Sequence, residues 1–415
     1  MIKLLVIADD FTGALDTAVQ FSQQGIRTLV STQTKIKFDD LDEKIEILVI
    51  DTESRHLNFE RAYNLIKEII VSAKQNGLEF IYKKVDSALR GNIAAEVKAL
   101  LETSQTRAVP FLPAYPEMNR VLIDGDLYIN EVLVSESIFA DDPYEPVKES
   151  NLLKRLKKEA DIDGQLIKDK ISDLSSGLLV FDAKSNEDLE RHARNLKAAN
   201  LLSVSIGCAG FAKILAKELF PDAKAVTHKL GKSLVVICGS INPITQRQIE
   251  YAEEKNYPRI SLNAQQLLEN NYWKTLKGQT DIRNYLEKMK ESPLLIFETL
   301  SHQTSSEIEQ YAQENQIGSQ DYRFKIGGAL GELTESLWTA NSENTFLFTG
   351  GDTLYQSMQV LGIKEIKPLS EISRGVVLSE IQWQGRSIQV ITKSGGFGDE
   401  YLFEKLVLEK GEKEC

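Results

Sequence analysis

Short aliphatic and β-branched runs that end in Asp, Gly, Ser or Lys recur along this chain, each followed by a stretch with helical apolar spacing. That alternation constrains the fold more than any other feature. Parallel neighbours in a sheet need a crossover, and a helix supplies it, so the pattern predicts an α/β fold with a mainly parallel sheet. Leu4 to Ala8 predicts the first strand, and Gly13 to Gln24 the helix after it, closed by Gly25. Arg27 to Ser31, Ile45 to Asp51, Phe80 to Lys84, Leu178 to Asp182 and Ser203 to Ile206 continue the strands. Helices are predicted over Phe59 to Lys74 and Ile93 to Glu102. Arg120 to Leu133 breaks the rhythm, and Gly125-Asp126 between short apolar runs predicts a hairpin or excursion.

A boundary falls near Phe220 to Lys232, where a helix ends at Pro221 and a polar stretch follows. Leu234 to Cys238 then opens a second series, with strands at Leu294 to Phe297, Thr345 to Phe348 and Ile388 to Thr392. The predicted domains are residues 1–222 and 233–410, each a mainly parallel sheet flanked by helices. Glu409 to Cys415 reads as a charged tail.

Composition narrows the function classes. The 415 residues are 42% hydrophobic and 27% charged, which suits packed cores rather than disorder. The formal net charge of -12 argues against a nucleic-acid partner, whose phosphates call for a basic face. It leaves room for a small anionic substrate, because local Lys and Arg can build a positive pocket in an acidic protein. Cys208, Cys238 and Cys415 lie too far apart for metal-ligand spacing, and His56, His192, His228 and His302 form no i, i+4 pair. No metal site of protein ligands is therefore expected. The apolar start, Ile2 to Ala8, is too short for a signal-peptide core, and no run approaches a membrane span. A cytoplasmic protein without membrane partners is expected; a homo-oligomer is left open.

In open parallel sheets ligands bind at the carboxyl ends of strands. Four such ends in the first half are polar. Asp9-Asp10 precede Thr12-Gly13, where one carboxylate can cap the helix and the other can face a ligand. Arg55 follows the Ile45 strand and offers a planar fork for a carboxylate, although a surface arginine would look the same. Lys83-Lys84-Val85-Asp86-Ser87-Ala88-Leu89-Arg90-Gly91-Asn92 comes with the end of the Phe80 strand, the densest polar cluster of this half. Pro113-Ala114-Tyr115-Pro116 follows another, with Arg120 close behind. Each could be a charged loop with a cap. Together they suit a polyhydroxy acid, with cations for its carboxylate and carboxylates and hydroxyls for its alcohols.

The second half carries glycine turns after strands: Gly239-Ser240, Gly350-Gly351-Asp352-Thr353, and Ser394-Gly395-Gly396-Phe397-Gly398-Asp399. Glycines admit phosphate oxygens to backbone N–H groups, and a helix start adds a favourable dipole. One such turn could serve the chain path alone; three in one domain favour phosphates. Gly231-Lys232-Ser233 only imitates a Walker A ending, since Val226 stands where its first glycine is required and a strand follows instead of preceding. No dinucleotide fingerprint and no nucleophile elbow occurs at these turns.

At these residues the chain resembles the four-carbon acid sugar kinase family over nearly its whole length. The shared motifs are Ala8-Asp9-Asp10-Phe11-Thr12-Gly13-Ala14, Ser54-Arg55, Lys84 to Ser87 with Leu89-Arg90-Gly91, Pro113 to Pro116, Gly239-Ser240, Gly350 to Thr353, and Lys393 to Asp399. The resemblance implies an ATP- and Mg2+-dependent kinase acting on the C4 hydroxyl of threonate, erythronate or 3-oxo-tetronate, with its active site in the cleft between the domains. It implies acid contacts from Asp10, Arg55, Lys84, Val85, Asp86, Ser87 and Arg90, and nucleotide contacts from Ser240, Gly350, Gly351, Asp352, Thr353 and Gly396. Asp10, Asp86 and Asp352 are the candidate bases, and Arg55 or Lys84 the expected anchor of the carboxylate. Two positions depart from the family: Phe11, where Leu is common, and Ala88, where Thr is common, the latter expected to bear on substrate preference. A two-lobed sugar-acid sensor or a dinucleotide-dependent oxidoreductase are the alternatives; the first leaves the glycine turns idle, the second lacks its fingerprint.

Overall fold

The computed structural model describes residues 2–171, 176–240, 242–299, 302–318, 322–340 and 343–411. Cys415 and the end of the expected tail lie outside them, as does the side chain of His302. The chain divides into two compact units, Met1–Val226 and Thr227–Cys415. Among the described residues no helix is long and apolar enough to cross a membrane.

The first unit begins β1 (Leu4–Ala8), α1 (Phe11–Ser22), β2 (Thr28–Ser31), β3 (Ile47–Asp51), α2 (Phe59–Gln75), β4 (Phe80–Lys84), α3 (Ile93–Thr103) and β5 (Ala108–Leu112). An excursion follows: β6 (Arg120–Ile123), β7 (Asp126–Ile129) and β8 (Val132–Leu133) form a separate antiparallel sheet. Its first turn, Asp124-Gly125, has both residues at positive φ, as a tight hairpin of this hand demands. Then come α4 (Leu152–Ala160), β9 (Gly164–Ile167), β10 (Gly177–Phe181), α5 (Asn186–Ala198), β11 (Val204–Gly207) and α6 (Ala209–Leu219). The main strands lie in the order β2-β3-β1-β4-β11-β5-β10-β9, all parallel. The chain runs one way from β1 to β2 and β3, then reverses to β4. The crevice between the carboxyl ends of β1 and β4 is therefore a topological switch point. Register brings Ala8, Asp51 and Lys84 level, so the polar segments after them emerge side by side.

The second unit repeats the device. Its elements are β12 (Leu234–Cys238), α7 (Pro243–Glu254), β13 (Arg259–Ser261), α8 (Ala264–Leu268), α9 (Leu276–Glu291), β14 (Leu294–Glu298), α10 (His302–Glu314), α11 (Tyr322–Ala340), β15 (Thr345–Thr349) and α12 (Gly351–Val360). They are followed by β16 (Glu365–Ser373), β17 (Val376–Trp383), β18 (Arg386–Lys393) and α13 (Leu402–Gly411). Strand order is β13-β14-β12-β15-β18-β17-β16. The first five are parallel, and β17 and β16 add antiparallel strands. Here the reversal falls between β12 and β15.

Both units are thus α/β, with a mainly parallel sheet and helices against it. The strands β1, β3, β12, β14 and β15 are buried along their whole length, as strands covered on both faces must be. Several details differ from expectation, among them strands β9 and β13, which the expected series lacked. Helix α1 starts at Phe11 rather than Gly13, because Asp10 caps it by accepting from Gly13 N–H. Strands β16 and β17 are additions to the expected series. Helix α13 runs on to Gly411, through the start of the expected tail.

Gly207 closes β11 between Lys84 and Leu112. A Cβ there would sit 2.5 Å from Tyr82 Oη and 2.8 Å from the Leu112 carbonyl oxygen. Gly207→Ala should cost about 1–3 kcal/mol through overpacking, measured as a lower urea midpoint at unchanged slope.

Candidate active site

Asp9 lies at the end of β1, 2% exposed. Burying a lone carboxylate is costly, and the structure neutralises it from two sides. Arg55 approaches Asp9 Oδ2 with Nε at 2.9 Å and Nη2 at 2.7 Å, and Lys84 Nζ lies 2.9 Å from Oδ1. Burial pushes the Asp9 carboxyl up, but Arg55 and then Lys84 overcome it and hold Asp9 below the usual carboxylate range. The same cations reach Asp10 Oδ1, Lys84 at 2.8 Å and Arg55 at 2.8 Å. Gly13 makes room for this arrangement, since a Cβ on it would lie 1.7 Å from Lys84 Nζ.

Asp10 differs from Asp9 in one respect. All its hydrogen bonds and ion pairs among the described residues fall on Oδ1, and the side chain is 20% exposed. Asp86 is fully engaged: it accepts from Arg90 Nε at 2.9 Å and Nη2 at 3.1 Å, and from the N–H groups of Ala88 and Arg90, both at 3.2 Å. Against the upward push of burial, Arg90 and Arg55 hold its carboxyl well below the usual range. Arg90 also reaches Asp142 at 3.2 Å and lies over the Phe139 ring. Arg120 donates to Ser87 Oγ and lies over the other ring contact of Phe139. A cavity of about 360 Å³ opens beside Arg55, lined in part by His56, Gly91, Asn92, Tyr144 and Arg155.

A second charge pair lies beneath the first. Lys83 and Glu96 are both fully buried, 3.0 Å apart. Lys83 also donates to the carbonyls of Ile7 (3.3 Å) and Lys84 (2.7 Å), while Glu96 accepts from Ser54 Oγ. Ser54 continues to Thr52, whose hydroxyl donates to Ala8 O at 2.6 Å. This chain of contacts ties β1, β3, β4 and α3 together under the site.

The sequence-predicted residues of the first unit therefore meet: Asp10, Arg55, Lys84, Asp86, Ser87 and Arg90 form one connected cluster. Val85 is the exception in kind, since its side chain is buried in the core and its N–H donates to Gly207 O at 2.9 Å. Ala88 is likewise a core residue, so the departure from Thr there changes packing beneath the loop and presents nothing to a ligand. Sequence reasoning gave Asp9 no role of its own, counted Lys83 only as a member of the polar cluster after the Phe80 strand, and missed Glu96 and Asp142. Adjacent lysines on a strand point to opposite faces, which was the available signal for Lys83.

In the second unit the predicted turns sit on the adjacent strands β12, β15 and β18. Register levels Cys238, Thr349 and Lys393, and Gly350 N–H donates to Lys393 O at 2.7 Å. Gly350 has φ +90, and a Cβ on Gly395 would lie 2.7 Å from Ser240 Oγ, so the first and third turns touch. Gly351, Asp352 and Thr353 form the first turn of α12, and Thr353 is held by its hydroxyl to Thr349 O at 2.9 Å. Gly396 lies beside Asn242. Lys393, fully buried, underlies the turns and donates to Thr245 Oγ1 (2.9 Å) and to the carbonyls of Ser394 and Gly395 (both 3.2 Å). It has no ion pair among the described residues, and burial brings its ammonium down to about 8.

Two family models match the chain, one in each half. Residues 4–215 match the family model described as a sugar-binding N-terminal domain, and residues 235–403 that of a nucleotide-binding C-terminal domain. The chain is 26% identical to a D-threonate kinase of Salmonella typhimurium, over 96% of each chain. It is 27% identical to a 3-oxo-tetronate kinase of Actinobacillus succinogenes, over 96% of this chain and 97% of that one. Two solved structures share the fold. One is from Salmonella typhimurium, with TM-score 0.79, 23% identity and full coverage of both chains. The other is from Haemophilus influenzae, with TM-score 0.77, 24% identity, and coverage of 98% of this chain and 100% of that one. A sugar-binding half followed by a nucleotide-binding half, with relatives of this kind, is the architecture of a sugar acid kinase. The chain belongs to the four-carbon acid sugar kinase family.

Removing one partner of the buried Lys83–Glu96 pair leaves the other uncompensated. Lys83→Met should cost about 3–5 kcal/mol, and Lys83→Met with Glu96→Leu should recover most of it. Urea unfolding of the two variants beside wild type checks this.

Proposed function

We propose that the protein is an ATP-dependent kinase that phosphorylates the terminal C4 hydroxyl of a four-carbon sugar acid such as threonate, erythronate or 3-oxo-tetronate. The observation that carries the reading is Asp10. It sits at a switch point among fixed cations, and its Oδ2 accepts no hydrogen bond among the described residues. That oxygen can take the hydrogen of a substrate alcohol, while Lys84 and Arg55 hold the carboxylate in place. Of the three candidate bases, Asp86 is the least suited, because both its oxygens are held by Arg90. Asp10 and Asp352 retain the role, and the geometry favours Asp10.

The nucleotide phosphates are assigned to Ser240, the Gly350 to Thr353 turn and Gly396. There backbone N–H groups and the α12 dipole favour anions. Among the described residues no three His, Cys, Asp or Glu side chains gather as a metal site. A Mg2+ carried by nucleotide phosphates asks for one or two protein carboxylates, and the exposed Asp352 in the first turn of α12 fits that need. When bound, the ion would neutralise phosphate charge. The reaction requires the terminal hydroxyl of the acid to reach the γ-phosphate of the nucleotide.

ATP consumption with a panel of four-carbon acids tests the proposal. Wild type should release ADP only with an acid present, and Asp10→Asn should lower kcat by about 10²–10⁴-fold with nucleotide affinity unchanged. An acid-dependent change in NAD absorbance with no ATP consumed would point to an oxidoreductase instead.

A further inference from the structure

Four cations stand at the strand ends of the first unit, and three are already neutralised. Arg55 holds Asp9 and Asp10, Lys84 holds the same pair, and Arg90 holds Asp86 and Asp142. Arg120 has no ion pair among the described residues. Its guanidinium donates to the neutral hydroxyl of Ser87 and rests on Phe139, 5.2 Å from the ring centroid. Its Nε is buried and has no hydrogen-bond partner among the described residues. Resting on the reading of a sugar acid kinase, we infer that Arg120 receives the carboxylate of the acid and so sets the preference for acids over neutral sugars.

A guanidinium with a nitrogen lacking an acceptor has hydrogen-bonding capacity to spare; Nε itself is closed off, and it is the partly exposed part of the Arg120 side chain that a ligand acceptor would meet. The planar fork suits a carboxylate, and the contacts with Phe139 and Ser87 hold that fork in place before the ligand arrives. The main chain adds to this: Arg120 N–H donates to Tyr115 O at 3.1 Å and its carbonyl accepts from Tyr115 N–H at 2.7 Å. Arg55 and Lys84 are poorer anchors, because a carboxylate brought to them would meet Asp9 and Asp10, with Asp86 only 3.7 Å from Arg55. Like charges so close oppose one another. The shifts in proton affinity follow the same division. Although burial lowers all four, carboxylate neighbours raise Arg55, Lys84 and Arg90 overall, whereas at Arg120 burial outweighs the attraction of Asp86 and leaves it below its ordinary value. Ser87 lies three residues beyond Lys84, which contacts Asp10. The loop from Lys84 to Ser87 thus links a hydroxyl acceptor, Asp10, to a carboxylate anchor, Arg120.

The test compares a four-carbon acid with the matching tetritol, in which CH2OH replaces the carboxylate, by calorimetric binding and by ATP-dependent turnover. Wild type should strongly prefer the acid. Arg120→Met should weaken acid binding and raise its KM by about 10²-fold, leave the weak tetritol response unchanged, and so erase the preference. Arg120→Lys should restore part of it. Equal losses for acid and tetritol would show a structural role and overturn the inference, as would an unchanged acid KM. Should wild type bind the acid without consuming ATP, the kinase reading fails while the binding arm still decides on Arg120. Should wild type bind no four-carbon acid, both fall. Melting curves show whether Arg120→Met folds; if it does not, the Arg120→Lys preference, reduced or unchanged, decides.

Discussion

The first unit depends on the neutralisation of Asp9. A carboxylate at the end of a central strand, almost wholly out of water, stays ionised only if cations are brought to it and held. Arg55 comes from the segment after β3 and Lys84 from the end of β4. The requirement therefore locks three neighbouring strand ends into one geometry. Asp10, next in the chain, shares both cations at its Oδ1, caps α1, and keeps its second oxygen available. A charge pair of this kind contributes little net stability once desolvation is counted. Its value here is positional, since the two cations fix the carboxylates of Asp9 and Asp10 relative to three strand ends.

Lys83 and Lys84 show how one strand divides the labour. Successive residues point to opposite faces of the sheet. Lys84 serves the side where α1 begins and reaches Asp9 and Asp10 across Gly13, while Lys83 serves the side of α3 and meets Glu96. The lower pair, extended through Ser54 and Thr52 to Ala8 O, is a second brace on the same strand ends. Two identical residues, adjacent in sequence, thus support the site from both sides.

The second unit solves a different problem with a similar topology. Its switch point carries glycine turns, and the cation beneath them, Lys393, faces carbonyl oxygens and a hydroxyl instead of a carboxylate. By occupying the carbonyls of Ser394 and Gly395 from below, the ammonium turns those peptide groups so that the turn can offer N–H groups outward. An ammonium with no compensating carboxylate also leaves local positive charge for an anion to find. The contrast matches the ligands proposed for the two halves: alcohols and a carboxylate in one, phosphates in the other.

Much of this was legible in the sequence. The strands Leu4–Ala8 and Leu234–Cys238 end where their apolar runs end, because strands buried on both faces are apolar throughout, whereas Phe80–Lys84 closes on two lysines that find charged partners. The polar groups therefore had to follow them, and Asp10, Arg55, Lys84, Ser87 and the glycine turns could be named from their places after strands. The hairpin strands β16 and β17 were not foreseen, since a half-exposed strand such as Glu365–Ser373 lacks a continuous apolar run. Nor could the pairing of charges be foreseen. Whether Arg55 is an open anchor or already bound to Asp9 depends on strand order and register, which bring residues 46 apart to 2.7 Å. The same holds for Arg120, an ordinary arginine after a turn until the fold sets it against Ser87 with a buried nitrogen unmet. Sequence alone determined which chemical groups stand at the strand ends, because burial of the strands excludes them from everywhere else. Only the tertiary structure decided which of those groups are spent on one another and which are left for a ligand, because pairing is a matter of distance between segments remote in the chain.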